Sequence, residues 1–148
     1  MAELYRTLER DLEPGDVVII DDDPNNPIYA QQYVNKEGPG LARARQERDP
    51  RAVGIISTAP GIVLGNNDAP IPPDEQKALA LAGQVPVKID PASPEIKVGD
   101  PLTTSANPGH AIKATRAGPI IAKALEPWLP DSGVDKISVL LNLSWFDP

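Results

Sequence analysis

The chain has 148 residues, 18 prolines, 11 glycines, no cysteine and a net charge of −7. Because proline fits poorly inside helices and central strands, this composition disfavours a helical bundle, and the lack of cysteine excludes disulfides and thiolate metal sites. The negative charge disfavours nucleic acid, and without an apolar run of about 18 residues no membrane segment is expected, which predicts a soluble chain of one domain, residues 1–148.

The N-terminal segment offers two interpretations. Residues 1–12 have apolar positions spaced as on a helix, and they are predicted to form either a helix or an arm that reaches a partner subunit. Pro14 and Gly15 then indicate a tight turn, and residues 17–20 are predicted as a short buried strand.

The next part of the chain is polar and rich in Pro, Gly and Asn. Residues 22–48 are predicted as a long loop region with one strand at 28–34. Residues 51–65 hold two β-branched apolar runs around Ser-Thr-Ala-Pro-Gly, a pattern typical of a hairpin or β-corner.

The second half of the chain contains more strand signals. Residues 77–84 fit either a strand or a helical turn. Strands are predicted, in chain order, at 85–90, 101–105, 110–115, 117–128 and 136–146. The last of these is the longest apolar run and is predicted to be buried on both faces in its middle.

One internal similarity supports the fold prediction. The stretches "LEPGDVVIID" and "IKVGDPLTTS" share an apolar residue, a charged residue, a turn residue and Gly-Asp before a strand. Two such corners, with 18 prolines and few aromatics, predict a mostly β fold: a small β-barrel-like or sandwich domain with long Pro/Gly-rich loops and little helix.

Ser105 and His110, the single histidine, lie on one loop and could suggest nucleophilic catalysis. A nucleophilic serine needs a base within hydrogen-bond reach and a third residue that orients the base. No such third residue and no Gly-x-Ser-x-Gly motif can be named. We therefore predict structural roles for both, and β-strand roles for Thr103 and Thr104.

Metal and phosphate sites are also poorly supported. Asp21, Asp23 and Asn25 have the opening spacing of a calcium loop, but Asn26 replaces its glycine and Gln32 its bidentate glutamate. Glycine-rich phosphate motifs are absent from the sequence. The prediction is no metal and no cofactor.

Two other features have both a structural and a functional interpretation. Trp128 and Trp145 could stack on a ligand, but each flanks an apolar run, which favours packing or interface roles. The basic stretch "LARARQERDPR", residues 41–51, is interleaved with Glu47 and Asp49, so a solvated face is predicted.

Four stretches in order resemble one known family. They are "AELY…LEPGDVVIID", "DPRAVGIISTAPGIVLG", "VPVKID…IKVGDPLTTSANPGHAIKA" and "GPIIAKALEP…ISVLLNLSW". From Ala2 to about Trp145 the chain resembles the peptidase G2, or intramolecular-chaperone autoproteolytic, family, a C-terminal module of phage and bacterial fibre-type proteins. The resemblance implies a trimeric module that brings three chains together and, in some members, cuts itself from the mature fibre.

The resemblance also implies a site residue. Members that cleave themselves do so next to an acidic motif like Asp-x-Ala-Glu, whose carboxylates are catalytic. In "MAEL" Glu3 matches the glutamate, while the aspartate would fall at or before residue 1. The chain as it stands is therefore not expected to act as an enzyme.

These observations lead to one expectation and two alternatives. We expect a non-catalytic module that promotes trimerisation of a fibre- or appendage-type protein, with itself and an upstream fibre domain as partners, in a virion-associated or extracellular setting. The first alternative is an autoproteolytic domain using Glu3, either as the released product or without its scissile segment. The second is a small glycan- or ligand-binding β-module using Trp128, Trp145 and residues 22–48.

Overall fold

The computed structural model of the chain describes residues 2–21, 40–58 and 76–148. Within these residues the chain forms ten strands and no helix, in two antiparallel five-stranded sheets that do not close into a barrel. The first sheet contains β1 (Ala2–Arg6), β2 (Val17–Ile20), β3 (Leu41–Arg43), β4 (Ala52–Ile56) and β5 (Gln76–Ala80). The second contains β6 (Gly83–Lys88), β7 (Pro101–Thr104), β8 (Ala111–Lys113), β9 (Gly118–Ala124) and β10 (Lys136–Phe146). The mostly β prediction is confirmed, and the architecture is that of a small sandwich.

The two sheets have the same strand order. The first runs β1-β5-β4-β2-β3 and the second β6-β10-β9-β7-β8, so each strand of the second sheet corresponds to the strand five places earlier in the chain. The same parallel bridge also occurs in both, between Thr7 and Leu41 and between Ile89 and Ala111. The chain therefore contains one five-stranded unit twice, which extends the Gly-Asp similarity seen in the sequence to the whole topology.

The main core lies between the two sheets. Strand β6 shows the alternation that builds this core: Val85 and Val87 are buried, whereas Gln84 and Pro86, which alternate with them, are exposed. Pro86 is tolerated because β6 lies at the edge of its sheet. Large residues of this core from both sheets include Val17, Ile19, Ile55, Val85, Val87, Leu102, Ile121, Ile137, Val139 and Leu141.

The first sheet also buries its other face. Val18 follows the main-core residue Val17 in β2, and Ile56 follows the main-core residue Ile55 in β4. Because side chains alternate along a strand, Val18 and Ile56 point to the opposite face of the sheet. The members of this second cluster are Leu12, Val18, Leu41, Ile56 and Leu79. Both faces of the first sheet are therefore covered.

The second sheet differs, because strand β10 is buried on one face alone. Ile137, Val139 and Leu141 are buried, but Leu140 between them is 42% exposed. The prediction that this strand is buried on both faces is wrong. Val139, Leu140 and Leu141 are three successive apolar residues, but within the described residues no second layer packs on the outer face at Leu140.

The N-terminal prediction of a helix is also wrong. Ala2–Arg6 forms β1, an edge strand that pairs antiparallel with β5 from Ala2 opposite Ala80 to Arg6 opposite Gln76. Apolar residues at Leu4, Tyr5 and Leu8 fit more than one period, and pairing with the open edge of β5 selects the extended form.

Most strand predictions in the second half are confirmed within a few residues. The bounds of β10 and β2 agree with the predictions, and the uncertain residues 77–84 belong to β5 and the start of β6. In the predicted loop 22–48, residues Leu41–Arg43 form β3. The strand predicted at 28–34 and the second half of the 51–65 corner lie outside the described residues.

Candidate functional site

Two equivalent turns precede β2 and β7. In residues 13–16 the Asp16 N–H donates to Glu13 O at 3.0 Å, and the Glu13 N–H donates to Asp16 Oδ2 at 2.8 Å. Residues 97–100 repeat both bonds at 3.0 and 2.8 Å. The third residue of each turn is a glycine, with φ of +96° and +91° respectively, a conformation that other residues adopt at a cost.

The aspartates of these turns differ in their surroundings. Asp16 is fully buried; Arg43 donates to its Oδ2 at 3.1 Å, and Lys88 Nζ lies 2.8 Å from Oδ1, outside good hydrogen-bonding geometry. Asp100 is partly exposed and has Lys113 at 3.2 Å. Arg43 and Lys113 occupy the same position, the last residue of β3 and of β8, so the repeat extends to the ion pair.

Lys88 has no counterpart in this repeat, because it reaches Asp16 from the other sheet. Burial lowers the pKa of Lys88, but its contacts with Asp16 and Glu13 raise it more, so the net shift is upward and the ammonium stays charged. The pKa of Arg43 is likewise raised, against burial, by Asp16 and Asp11. Asp16 therefore joins cations from both sheets around one buried carboxylate.

The turn at residues 107–110 lies directly against Asp16. The Val17 N–H donates to Gly109 O at 2.8 Å, and the Gly109 N–H donates to Ala44 O at 2.9 Å. Gly109 has φ +76°, and a Cβ atom there would overlap Asp16 Oδ1. The Asn-Pro-Gly turn of the second sheet is thus packed on the Gly-Asp corner of the first.

Ser105 and His110 are not brought together through their side chains. Ser105 is buried, and its hydroxyl donates to Asp90 and accepts the Asn107 N–H at 2.9 Å. His110 Nδ1 lies 2.8 Å from Pro108 O within its own turn. The orienting carboxylate that a catalytic site would need is thus bound to the serine instead of the histidine, and this geometry does not support nucleophilic catalysis.

The two threonines before Ser105 are bonded within the fold. Thr103 and Thr104 end β7, as their β-propensity predicts. Thr103 Oγ1 donates to Pro119 O at 2.8 Å, and Thr104 Oγ1 donates to Gln46 O at 2.6 Å. Both hydroxyls therefore hold neighbouring segments in place.

The two tryptophans have opposite surroundings. Trp128 is 5% exposed, and its indole N–H donates to Val134 O at 2.8 Å, so it is a core residue. Trp145 is 67% exposed. The two rings therefore do not form one binding surface, and Trp145 is the accessible one of the two.

The calcium hypothesis falls largely outside the structure. Asp21 is described, whereas residues 22–39 are not, so Asp23, Asn25 and Gln32 have no structural account. Within the part of the chain that is described, no group of three His, Asp or Glu side chains is arranged to hold a metal ion. None of the described segments is a helix long and apolar enough to cross a membrane.

Glu3 lies on the edge strand β1, opposite Leu79 of β5. Its side chain accepts a hydrogen bond from the Tyr5 hydroxyl at 3.3 Å. Burial, together with the charge and hydrogen bond of Glu3, raises the pKa of Tyr5. The catalytic role of Glu3 stays a prediction.

The outer face of β10 is a candidate interface. Leu140, Leu143 and Trp145 are 42%, 47% and 67% exposed. Strand β6 pairs with β10 only as far as Leu141, so among the described residues the last part of β10 is paired with β9 alone. An exposed apolar strand with one open edge is a typical site for association with another chain.

The Asp16 cluster is the feature that the sequence did not predict. The repeated Gly-Asp pattern pointed to residue 16 as a turn residue, but Arg43, Lys88 and Gly109 are 27, 72 and 93 positions away along the chain. A signal existed only for Gly109, since Asn-Pro-Gly predicts a turn with positive φ.

Substitution of Asp16 should destabilise the fold more than the same substitution of Asp100, its equivalent in the second copy of the repeat. Asp16→Asn leaves Arg43 and Lys88 without their buried counter-charge, and we expect a loss of about 3 kcal/mol in the free energy of unfolding. The matched variant Asp100→Asn removes a partly exposed pair with Lys113 and should cost about 1 kcal/mol or less. Urea unfolding monitored by circular dichroism measures both; equal losses would contradict the assigned role of Asp16.

Substitution of Gly109 tests the contact between the two turns. Gly99→Ala, at φ +91° with no atom within 4 Å of the new methyl group, should cost about 1 kcal/mol from backbone strain alone. Gly109→Ala has a similar positive φ and also overlaps Asp16, so it should cost about 2 kcal/mol more. If the two alanine variants unfold at the same urea concentration, the 107–110 turn does not pack on Asp16 as described.

Comparisons with known proteins identify the fold. No protein family profile matches the chain, and no curated protein matches it in sequence. Among solved structures it is similar to the bacteriophage phi29 gene product 12 C-terminal fragment, with a TM-score of 0.58 and 18% sequence identity. The likeness covers 96% of this chain and 99% of that fragment. The chain therefore has the fold of a phage protein's C-terminal fragment along nearly its whole length.

Proposed function

We propose that this chain is a non-catalytic assembly module that brings three copies of itself together at the end of a phage fibre- or appendage-type protein. The observation that carries the proposal is the likeness to a C-terminal fragment of a phage protein across nearly the full length of both chains. A partial match would be expected of any β-sandwich, whereas here the whole fragment corresponds to the whole chain.

The distribution of exposed apolar residues supports self-association. Among the described residues, all of the large apolar side chains that are exposed, except Leu8, belong to the second sheet or its connections. They are Val98, Leu125, Leu129, Val134, Leu140, Leu143 and Trp145. The first sheet covers both of its faces, so the outer face of the second sheet is the surface that gains most from a partner.

Burial of the exposed apolar residues of β10 would contribute only a modest free energy of association for each contact between copies. Complete burial of a leucine side chain contributes about 1.5–3 kcal/mol, and Leu140, Leu143 and Trp145 are each partly exposed. Association must offset the loss of translational and rotational freedom, which one small patch does not do alone. Closed cyclic symmetry forms one such contact per subunit, which favours a ring of copies.

The resemblance to the peptidase G2 family adds the finer part of this proposal, namely a trimer and an ancestry in self-cleavage. Glu3 would be the catalytic carboxylate if an upstream aspartate were supplied. Its position on the edge strand β1, near the point where an upstream segment would join, is compatible with that role.

The trimer is tested by comparing two equally exposed leucines. Leu140 and Leu8 are both 42% exposed, the first on the proposed interface and the second outside it. Leu140→Ser should weaken association about tenfold or more, while Leu8→Ser should leave it unchanged within about twofold. Sedimentation equilibrium over a range of concentrations measures the mass against three times the 15.8 kDa of one chain.

Two results would contradict the trimer. One is a mass of 15.8 kDa that persists at the highest concentration, and the other is an equal effect of both substitutions. Circular dichroism of each variant serves as the folding control, since neither side chain belongs to the core of one chain.

Self-cleavage is tested with a chain extended upstream to contain an Asp-x-Ala-Glu segment ending at Glu3. If Glu3 is catalytic, intact-mass spectrometry after incubation should show a new N-terminus, and Glu3→Ala should abolish it. Glu95→Ala, at an exposed position on the other sheet's connection, is the matched control and should cleave as the parent does. An extended chain that stays intact, or that cleaves equally with Glu3→Ala, would refute this role.

A further inference from the structure

Residues 41–51 contain four arginines, and three of them are committed to ion pairs. Arg43, Arg45 and Arg51 each contact a carboxylate within 3.1 Å. Their partners are Asp16, Glu9 and Asp49 respectively. The predicted solvated face is therefore largely a set of structural ion pairs, and Arg48 is the exception.

Arg48 is held in an unusual backbone conformation. Its φ is +51°, a region that non-glycine residues enter at a cost of about 1 kcal/mol or more. Thr104 fixes this conformation, because its carbonyl accepts the Arg48 N–H and its hydroxyl bridges Gln46 O and the Asp49 N–H. The stem of the Arg48 side chain then lies over Gly118, in the space that a Cβ atom there would fill. The side chain is thus directed by the fold.

Arg48 lines a pocket of about 150 Å³ together with Arg116 and Lys113. Among the described residues, neither Arg48 nor Arg116 makes an ion pair, whereas Lys113 lies 3.2 Å from Asp100. The only carboxylate among the lining residues is that of Glu47, against three cations. The pocket therefore has an excess of positive charge in a chain whose net charge is −7.

This combination indicates a kind of ligand. A guanidinium group presents parallel N–H donors that match the two oxygens of a carboxylate or two oxygens of a phosphate. Two unpaired arginines in one pocket repel each other, and an anion between them turns that repulsion into attraction. The small volume suits one charged group, and the negative net charge disfavours an extended polyanion such as nucleic acid.

We propose that Arg48 and Arg116 form a binding site for a single oxyanion group of a small molecule, of the carboxylate or phosphate class. The group lies between the two guanidiniums, and Lys113, already shared with Asp100, adds a weaker electrostatic contribution. Thr115, the exposed residue beside Arg116, lines the same pocket and carries a hydroxyl that can donate to a third oxygen. No residue of β10 lines this pocket, and the proposed site does not depend on the trimer.

The site is tested by NMR titration of the isotope-labelled chain with inorganic phosphate and, separately, with glucuronate, at constant low ionic strength. Binding should shift the backbone amides of 47–48, 103–104 and 112–116 in a saturable way. Arg48→Gln and Arg116→Gln should each weaken binding about tenfold. Arg45→Gln removes the same charge three residues from Arg48, but outside the pocket, and should leave the affinity unchanged within about twofold.

The two probes distinguish the source of the oxyanion. Phosphate alone binding assigns the site to phosphorylated molecules, glucuronate alone binding assigns it to acidic sugars, and binding of both assigns it to the shared oxyanion chemistry. Shifts that spread over the surface without saturating would overturn the proposal. The proposal would also be overturned if Arg45→Gln weakened binding as much as Arg48→Gln. Arg116 is exposed, so Arg116→Gln is expected to fold and tests the site even if Arg48→Gln does not fold.

Discussion

The buried carboxylate of Asp16 is the interaction on which the joining of the two sheets depends. A charge without solvent is tolerated only when other charges and donors surround it, and here the Glu13 N–H, Arg43 and Lys88 do so. Because Lys88 comes from β6, the compensation is complete only when the second sheet is in place. Gly109 closes the remaining side, where any larger residue would overlap the carboxylate.

The repeated five-stranded unit allows Asp16 to be compared with its equivalent, Asp100. At Asp100 the same turn, backbone bonds and cation position recur, but the carboxylate is partly exposed and, in the part of the chain that is described, has no partner from the other sheet. Only one of the two copies is used as a junction. The copies also differ in their outer faces, since the first sheet has a second core and the second leaves Leu140 and Trp145 exposed. Among the described residues, the large apolar side chains that stay exposed thus lie on the second sheet and its connections, apart from Leu8.

Local pattern explains which parts of the fold could be predicted. Strand β10 was predicted with its observed bounds, because a run of eleven mostly apolar residues between turn residues has few other solutions. Of the two predictions for residues 1–12, a helix or an arm, the helix is wrong, because the apolar spacing fits several periods and pairing with β5 decides among them. The burial of Leu140 was predicted wrongly for a related reason: an apolar sequence does not tell whether a second layer covers it.

The sequence by itself determined the local elements: the Gly-Asp turns, the Asn-Pro-Gly turn, the short strands and the mostly β class. These depend on φ preferences and period-two alternation, which neighbouring residues encode. Only the tertiary structure decided which side chains meet. Ser105 binds Asp90 instead of His110, Trp128 is buried while Trp145 is exposed, and Arg48 has no ion-pair partner among the described residues. Each outcome depends on residues that strand pairing brings together from distant parts of the chain. That pairing is stabilised by the apolar side chains that the two sheets bury between them.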